Sequence, residues 1–358
     1  MAELPAHVTT GSGTVVEAGS IVCGRGVTLG RDVRLRAERL VLGDGVTLED
    51  GVQIHAQHFQ MDAGSRLEVG CRFSALGGAA RFVHIGEQSL VGHNSKVLVP
   101  VLILGDYVAI QNNALVNGLA PVLLGHNAWV GQNCILNSNE SLTIGNHVGI
   151  GPYSCVYTHG FFGDLLEGCQ VHKVAPVVIE DDAWIVGSYN VISPGVTIGK
   201  KAMVLTGSTV TRDVPANHCV GGMPARDLTG QFTPFRDRSP DEKVAMMASF
   251  VREYAAACAH PCRDVDGGLV VGAPEPFRIL VTRTVAAFDA LPAERPLLVF
   301  TAERPAGTPP AGVTVFDLVR RSYTRQRTAA EIALVRWLKN PRARFVPEDR
   351  PVITLPPE

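Results

Sequence analysis

The sequence predicts a β-solenoid followed by a smaller domain of helices and strands. An aliphatic residue recurs every six positions through much of the chain, and a small residue often follows four places later. Neither an α-helix nor a simple alternating strand has this period, but a solenoid of short strands and turns does. The 358 residues include 37 glycines and only 6% aromatic residues. This composition suits a narrow solenoid filled by Val, Ile and Leu.

The repeat changes in regularity along the chain. Residues 1–84 carry it loosely, which predicts irregular first coils that also cap the open end of the solenoid. From Ile85 the spacing tightens, and residues 85–228 are predicted to form the regular solenoid. The residues that open three successive coils, twenty positions apart, are Leu104, Leu124 and Ile144. Each of these coils is predicted to have two six-residue sides and one eight-residue side.

Two interruptions stand out. Residues 157–177 lack the repeat and are predicted to leave the solenoid as an excursion loop. Loops of this length are usually functional or disordered, and Phe161 and Phe162 argue against disorder because they need something to pack against. The step from Ile185 to Ile192 is seven residues, which indicates a one-residue insertion at Val186.

The tail, residues 229–358, has no six-residue repeat and predicts a small α+β accessory domain. Capping-box sequences at 239–242 and 328–331 predict the starts of two helices. Apolar runs predict strands at 269–271, 277–281 and 297–300. Eight basic residues between positions 320 and 344 are typical of a solvated face, or of a surface that receives an acidic carrier protein or a phosphorylated acceptor.

Composition excludes several classes of function. The net charge of −2 gives no argument for a nucleic-acid partner. The start of the sequence lacks the pattern of a signal peptide, and no apolar run predicts a membrane span. The eight cysteines contain no Cys-x-x-Cys pair, which argues against a disulfide framework or a zinc site. We therefore expect a reduced, cytoplasmic protein without a membrane partner.

A succession of short motifs between residues 176 and 228 is more specific than the repeat itself. The motifs are Asp182-Ala183-Trp184-Ile185, Ser193-Pro194-Gly195-Val196-Thr197-Ile198-Gly199, Gly207-Ser208, Val210-Thr211-Arg212-Asp213-Val214-Pro215 and Gly222-Met223-Pro224-Ala225-Arg226. This stretch resembles the hexapeptide-repeat acyltransferases, which include galactoside, maltose and xenobiotic O-acetyltransferases. The resemblance implies a mostly β fold, a left-handed parallel β-helix, assembled as a homotrimer that uses an acyl-CoA such as acetyl-CoA.

The resemblance also places a catalytic base. Acyl transfer from a thioester needs a group that accepts the acceptor's proton, and His159 stands in Tyr157-Thr158-His159-Gly160 where the family carries its catalytic histidine. His172, in the same excursion, is a competing candidate or an acceptor contact. Asn137 and Glu140 lie on the eight-residue side near the family's acceptor-binding residues. All three could also be solvated polar residues of turns.

A donor site can be carried over in the same way. Backbone amides of successive turns follow the pantetheine arm in the family, and basic residues meet the phosphates. The matching positions are Ser188, Thr206, Gly207, Thr211, Arg212 and Arg226. A guanidinium group can bind phosphate in a forked geometry. For Ser188, Thr206 and Gly207, ordinary turn chemistry is the alternative interpretation.

The hypothesis from sequence is therefore an acyl-CoA-dependent acyltransferase acting on a hydroxyl or amine of a sugar or other small molecule, by direct transfer and without a metal. One alternative is a non-catalytic solenoid scaffold with a docking tail. Another is a metalloenzyme similar to the γ-class carbonic anhydrases, which share this fold. Its candidate metal ligands would be His84, His93, His126 and His147.

Overall fold

The computed structural model describes residues 3–265, 268–272, 278–285, 297–304, 306–339 and 341–355. The chain divides after Phe235 into two compact units. The second unit ends at Val352, and the segment from Ile353 belongs to the first. In that first unit, Ile353 packs against an apolar cluster that includes Val101 and Leu123.

The first unit is a β-solenoid of stacked parallel coils, which confirms the predicted fold class. Strands are numbered in chain order, and each coil has three sides. The strands of the first side are β1 (Thr9–Thr10), β3 (Thr28–Leu29), β5 (Thr47–Leu48), β7 (Arg66–Leu67), β10 (Leu90–Val91), β13 (Ala109–Ile110), β16 (Trp129–Val130), β19 (Gly149–Ile150), β24 (Trp184–Ile185), β27 (Met203–Val204), β29 (Cys219–Gly221) and β30 (Arg226–Asp227). Of these, only β30 is antiparallel to its neighbour.

A second sheet wraps the other two sides. The strands of the second side are β8 (Arg72–Ser74), β11 (Lys96–Leu98), β14 (Leu115–Gly118), β17 (Ile135–Ser138), β20 (Cys155–Tyr157), β25 (Val191–Ile192) and β28 (Thr209–Val210). Those of the third side are β9 (Ala80–Ile85), β12 (Val101–Leu104), β15 (Val122–Leu124), β18 (Leu142–Ile144), β23 (Val177–Ile179) and β26 (Thr197–Ile198). Three longer strands cover both sides: β2 (Val15–Cys23), β4 (Arg34–Leu42) and β6 (Gln53–Met61).

The first coils differ from the irregular coils that the sequence predicts. Thr9, Thr28, Thr47 and Arg66 stack in register, each 19 residues after the last. The six-residue spacing is hard to follow here because β2, β4 and β6 run through the corner between the second and third sides as continuous strands of nine residues. The stacking is regular even though the sequence repeat is not.

The later coils follow the predicted spacing. Leu104 pairs with Leu124, and Leu124 pairs with Ile144, which confirms the twenty-residue coil. Aliphatic side chains fill the interior of the solenoid, and Val130 and Ile150 are fully buried on neighbouring coils.

The predicted insertion is present. Trp184 pairs with Gly149, whereas Val191 pairs with Cys155, so the upper coil has one more residue between these strands. Asn190 fills the corner, fully buried, and its Nδ2 donates to the Val186 carbonyl at 3.0 Å. Its Oδ1 accepts from the Ser208 amide at 3.0 Å. The extra residue is accommodated because the buried Asn190 side chain hydrogen-bonds both within its own turn, to Val186, and to Ser208 on the next coil.

Among its described residues, the second unit has two helices and a seven-stranded sheet, which agrees with the α+β fold predicted for the tail. The helices are α1 (Pro240–Ala257) and α2 (Ala329–Leu338). The strands are β31 (Cys262–Val265), β32 (Gly268–Gly272), β33 (Arg278–Thr284), β34 (Leu297–Glu303), β35 (Val313–Asp317), β36 (Ser322–Tyr323) and β37 (Val346–Pro347). Ser239 and Glu242 form the predicted capping box at the start of α1. Within the described ranges, neither helix is long and apolar enough to cross a membrane.

Part of the basic run in this unit is paired within the fold. Arg325 lies 2.6 Å from Asp349, and Arg342 lies 2.9 Å from Glu253. Burial lowers the pKa of Lys339 to about 8, with Arg344 and Arg336 adding repulsion. These contacts favour the structural interpretation of the run over a docking surface for an acidic carrier protein.

The tight stacking of coils gives a prediction on stability. A Cβ atom added at Gly125 would lie 2.6 Å from the Asn146 backbone nitrogen on the next coil. Overpacking against backbone typically costs about 1–3 kcal/mol, so Gly125→Ala should unfold several degrees below the parent in a thermal melt. Gly230→Ala is the control, because nothing lies within 4 Å of its added Cβ. Equal melting temperatures for the two variants would contradict the stacking argument.

Candidate functional site

The excursion leaves the solenoid at a tightly bonded point. Thr158 is fully buried, and its hydroxyl donates to the Asn137 carbonyl at 3.2 Å and accepts from the Glu140 amide at 3.0 Å. The Ala175 amide donates to the Thr158 carbonyl at 2.9 Å and closes the base of the loop. The residue that follows Thr158 is therefore fixed relative to the coil below.

The loop itself begins and ends as an antiparallel hairpin of β21 (His159–Phe161) and β22 (His172–Val174). The Phe161 ring lies between the two histidine rings, with centroids 4.9 Å from His159 and 4.6 Å from His172. His159 is half-buried at the base of the hairpin, and His172 is exposed. The structure thus brings both candidate histidines together around one aromatic ring.

Two buried polar atoms at this edge have open hydrogen-bonding positions. Among the described residues, the Nδ1 atom of His159 and the Oδ1 atom of Asn137 have no hydrogen-bond partner. An unsatisfied buried polar atom costs about 1–3 kcal/mol, so both atoms are suited to bind a group from outside the chain.

The side chains of Asn137 and Glu140 differ in their hydrogen bonds. Asn137 stacks directly below Tyr157, and its Nδ2 donates to Asn117 Oδ1 at 3.4 Å on the coil below. The Glu140 carboxylate accepts from the Ser141 amide at 2.9 Å, so it is engaged in its own turn. Of the two, Asn137 is the better placed for an acceptor, because it has an open carbonyl oxygen next to the base of the hairpin.

Three of the predicted donor residues stack in one column of turns. Ser188, Thr206 and Gly207 lie at the corner between the first and second sides, and the Gly207 amide donates to the Ser188 carbonyl at 3.0 Å. Gly207 has φ +72, which a residue with a Cβ rarely adopts. The Thr206 hydroxyl lies 3.4 Å from the Val186 carbonyl. Ordinary turn bonds therefore account for part of this column.

Thr211 and Arg212 lie at the opposite edge of the second side, which is the edge of His159. β20, β25 and β28 stack in that order, with His159 close after β20 and Thr211 directly after β28, two coils up. Arg212 is exposed, and no carboxylate in the described parts of the chain lies within ion-pair distance. Asp213 accepts instead from the Thr197 amide at 2.7 Å. Arg212 is thus free to meet an external anion.

Arg226 stands apart from both groups. It lies in β30, paired with Gly221 at the last coil, and is also exposed and unpaired among the described residues. Within one chain the structure therefore does not gather the six donor residues. The strand Cys155–Tyr157 separates the column of turns from His159 by about 10 Å, at roughly 3.3 Å per residue.

Sequence reasoning missed an aromatic pair beside Ser188. The rings of Tyr153 and Tyr189 stack with centroids 5.3 Å apart, and they are 44% and 66% exposed. Each follows a Gly-x pair at the same turn of successive coils, as in Gly151-Pro152-Tyr153. The excursion and the one-residue insertion place them 36 positions apart, so the repeat in sequence is hidden.

The metal-site alternative finds no convergent ligands in the described ranges. His84 pairs with Asp62 at 2.8 Å, and His93 pairs with Glu68 at 3.2 Å. His126 accepts from a backbone amide at 2.9 Å. Each of these histidines is engaged with its own neighbours, and no group of three potential ligands occurs in the part of the chain that the structure describes.

The chain is similar to known acetyltransferases in sequence and to a solved acetyltransferase structure. The galactoside O-acetyltransferase of Escherichia coli is 33% identical over 133 residues, which span 35% of this chain and 64% of that protein. That of Lactococcus lactis is 35% identical over 106 residues, 29% of this chain and 50% of that protein. A Vibrio cholerae hexapeptide-repeat acetyltransferase, solved with acetyl-coenzyme A, is 32% identical, with 40% and 69% coverage and a TM-score of 0.28. No family model matches the chain.

These findings confirm the resemblance predicted from sequence. The relatives of this chain are galactoside O-acetyltransferases and hexapeptide-repeat acetyltransferases, and its first unit has the solenoid expected of them. The chain spans between half and two thirds of the length of the two curated relatives described above.

Proposed function

We propose that this protein, a relative of hexapeptide-repeat acetyltransferases, moves an acyl group from coenzyme A to a hydroxyl or amine of a small acceptor. The proposal rests on the position and the surroundings of the His159 side chain. It is half-buried at a fixed point of the fold, has an open ring nitrogen, and shares its edge with the unpaired Arg212. A structural loop histidine needs none of these features.

The proposed reaction is a direct transfer in a ternary complex. A ring nitrogen of His159 takes the proton from the acceptor as its oxygen or nitrogen attacks the thioester carbonyl. The carbon–sulfur bond then breaks, and coenzyme A leaves as the thiolate. Burial raises the pKa of Cys134 to about 11 and that of Cys71 to about 12, which keeps these two thiols weakly nucleophilic.

The donor would lie along the upper coils. The turn column of Ser188, Thr206 and Gly207 supports the pantetheine arm, and Arg212 and Arg226 supply positive charge for phosphates. The stacked, exposed rings of Tyr153 and Tyr189 offer a flat surface for an adenine base.

The acceptor would contact the lower part of the same edge. The open Oδ1 of Asn137 can accept a hydrogen bond from a sugar hydroxyl or amine. Glu140 and His172 are the further candidate contacts. Both side chains are exposed.

A homotrimer would complete this site. The excursion presents apolar side chains to solvent, among them Phe162, Leu165 and Leu166, which are 66%, 61% and 91% exposed. Apolar surface of this kind is typical of an interface. Because one chain holds the turn column and His159 on different edges, a neighbouring copy could supply the donor turns that face His159.

The central test is His159→Ala. Loss of a general base should lower kcat for acetyl transfer from acetyl-CoA to galactosides by at least about a hundredfold, with an unchanged thermal melt. His172→Ala is the comparison variant in the same hairpin: as an acceptor contact it should raise the KM for the acceptor and leave kcat largely unchanged. The assignment fails if the two variants behave the other way round, or if folded His159→Ala turns over normally.

A second test concerns the donor phosphates. Arg212→Ala should raise the KM for acyl-CoA about ten- to a hundredfold with a smaller change in kcat, since the phosphates bind equally in ground and transition states. Arg25→Ala, an exposed arginine on the first coils, is the control. If Arg212→Ala lowers only the melting temperature, the arginine serves the last coil and the donor track is wrong.

A third test concerns assembly. Light scattering should give a mass three times the 38.2 kDa of one chain. Phe162→Ser combined with Leu166→Ser should shift the mass toward a single chain and lower activity together with it. Val22→Ser, a control that removes another exposed apolar side chain, should change neither. A fully active monomer would rule out the shared site.

A further inference from the structure

The first coils carry a column of positive charge on the outer surface of the second side. Arg34 pairs with Gln53, which pairs with Arg72, which pairs with Lys96. All four side chains are exposed, because alternate residues of these strands point outward. Three cations therefore stand on one column within four coils.

The charge is confined to this end of the solenoid. Higher in the same column the register continues from Lys96 to the apolar Leu115 and Ile135. Two residues further along the strands, a neighbouring column contains Arg36 and His55. The acid in this second column is Glu17, whose carboxylate is 3.9 Å from Arg36.

Arg34 and Arg72 of the first column and Arg36 of the second line a groove of about 590 Å³, whereas Lys96 is not part of its lining. One wall is the turn at 75–78, which is closed by a bridge between Ala75 and Gly78. The charged and polar side chains that line the groove are Arg34, Arg36, Arg72, His55, Gln53, Ser74 and one carboxylate, that of Glu17, which lies near Arg36. The groove is thus a shaped recess rather than a row of charges on a flat sheet.

The arrangement costs folding energy unless an anion offsets it. Arg72 and Lys96 lie opposite each other on neighbouring strands, where like charges repel, and the structure gives Arg34, Arg72 and Lys96 no carboxylate partner within the described residues. Arg31 and Arg66 on the same coils have carboxylate partners, Asp50 at 2.6 Å and Glu49, whereas Arg25 and Arg39 have none in the described residues. What distinguishes Arg34 and Arg72 is therefore not the lack of a partner but their place on one column beside a recess.

We propose that this groove binds a ligand that carries two or more carboxylate or phosphate groups. Strands repeat about every 4.8 Å, so Arg34 and Arg72 stand roughly 10 Å apart in the groove, and Lys96 lies roughly 5 Å beyond Arg72 outside it. This span suits a short acidic oligosaccharide or a small phosphorylated molecule. The groove is separate from the proposed acyl-transfer site. β8 and β20 are four strands apart on the second side, or about 19 Å.

The test is calorimetric titration of the full-length protein at low salt with trigalacturonate, pyrophosphate and neutral maltotriose. The proposal expects at least one acidic probe to bind and maltotriose not to bind. Preference for trigalacturonate would identify an acidic sugar chain as the ligand source, and preference for pyrophosphate a phosphorylated molecule. Arg34→Gln combined with Arg72→Gln should weaken that binding at least tenfold, and added salt should weaken it in the parent.

Two controls test whether the double variant at Arg34 and Arg72 loses binding for the proposed reason. Arg25→Gln removes one exposed arginine outside the groove and should bind like the parent. The double variant should melt at the same or a higher temperature, because it removes repulsion. Absence of binding by both acidic probes would overturn the proposal, as would unchanged binding in the double variant. A large fall in its melting temperature or a change in its oligomeric mass would instead assign the column to folding or assembly.

Discussion

The structure depends on the close stacking of one coil on the next. An added Cβ would lie 2.7 Å from a backbone atom of the following coil at Gly105, 2.6 Å at Gly125 and 1.6 Å at Gly151. Such spacing leaves no room for a coil that is displaced sideways. Many coils therefore return to the same position after 19 or 20 residues, and additional residues leave the solenoid at a corner.

The excursion and the insertion near Val186 both obey this constraint. The pairing of Leu142 with Val177 spans 35 residues instead of twenty, yet the strands on either side of the excursion stay in register. The hydrogen bonds of Thr158 and Ala175 close the gap that the excursion would otherwise leave. The single additional residue near Val186 is absorbed in the same way by Asn190. Loops that carry functional residues can be inserted at the corners of such a fold, because an insertion there does not interrupt the hydrogen bonding between strands.

Sequence reasoning succeeded where the repeat is regular and local. The twenty-residue coils, the insertion after Ile185 and the capping box at Ser239 follow from spacing and turn chemistry, and the structure bears them out. It failed where spacing does not reveal stacking. The continuous nine-residue strands do not show the six-residue spacing, so the sequence did not predict the regular first coils. The excursion places Tyr153 and Tyr189 far apart in sequence, so their stacking was not predicted either.

The candidate site was predictable only as a set of residues, and not as a geometry. Motif similarity could select His159 and Arg212, but only coordinates place them on one edge and leave the Nδ1 atom of His159 without a partner. The column of positive charge on the first coils could likewise not be predicted from the sequence. Arg34, Arg72 and Lys96 are separated by 38 and 24 positions, so their proximity follows from the register and not from any charge run.

The register also explains how an almost neutral protein can hold distinct charged regions. The net charge is only −2, but a solenoid converts a residue repeated once per coil into a continuous column. Because screening in physiological salt acts over about 8 Å, a column on the first coils has little effect on a centre about 19 Å away. An anionic ligand held at Arg34 and Arg72 and an acyl donor held near Arg212 could therefore bind together without strong mutual repulsion. The same stacking that fixes the fold thus gives each edge and each end of the solenoid its own chemistry.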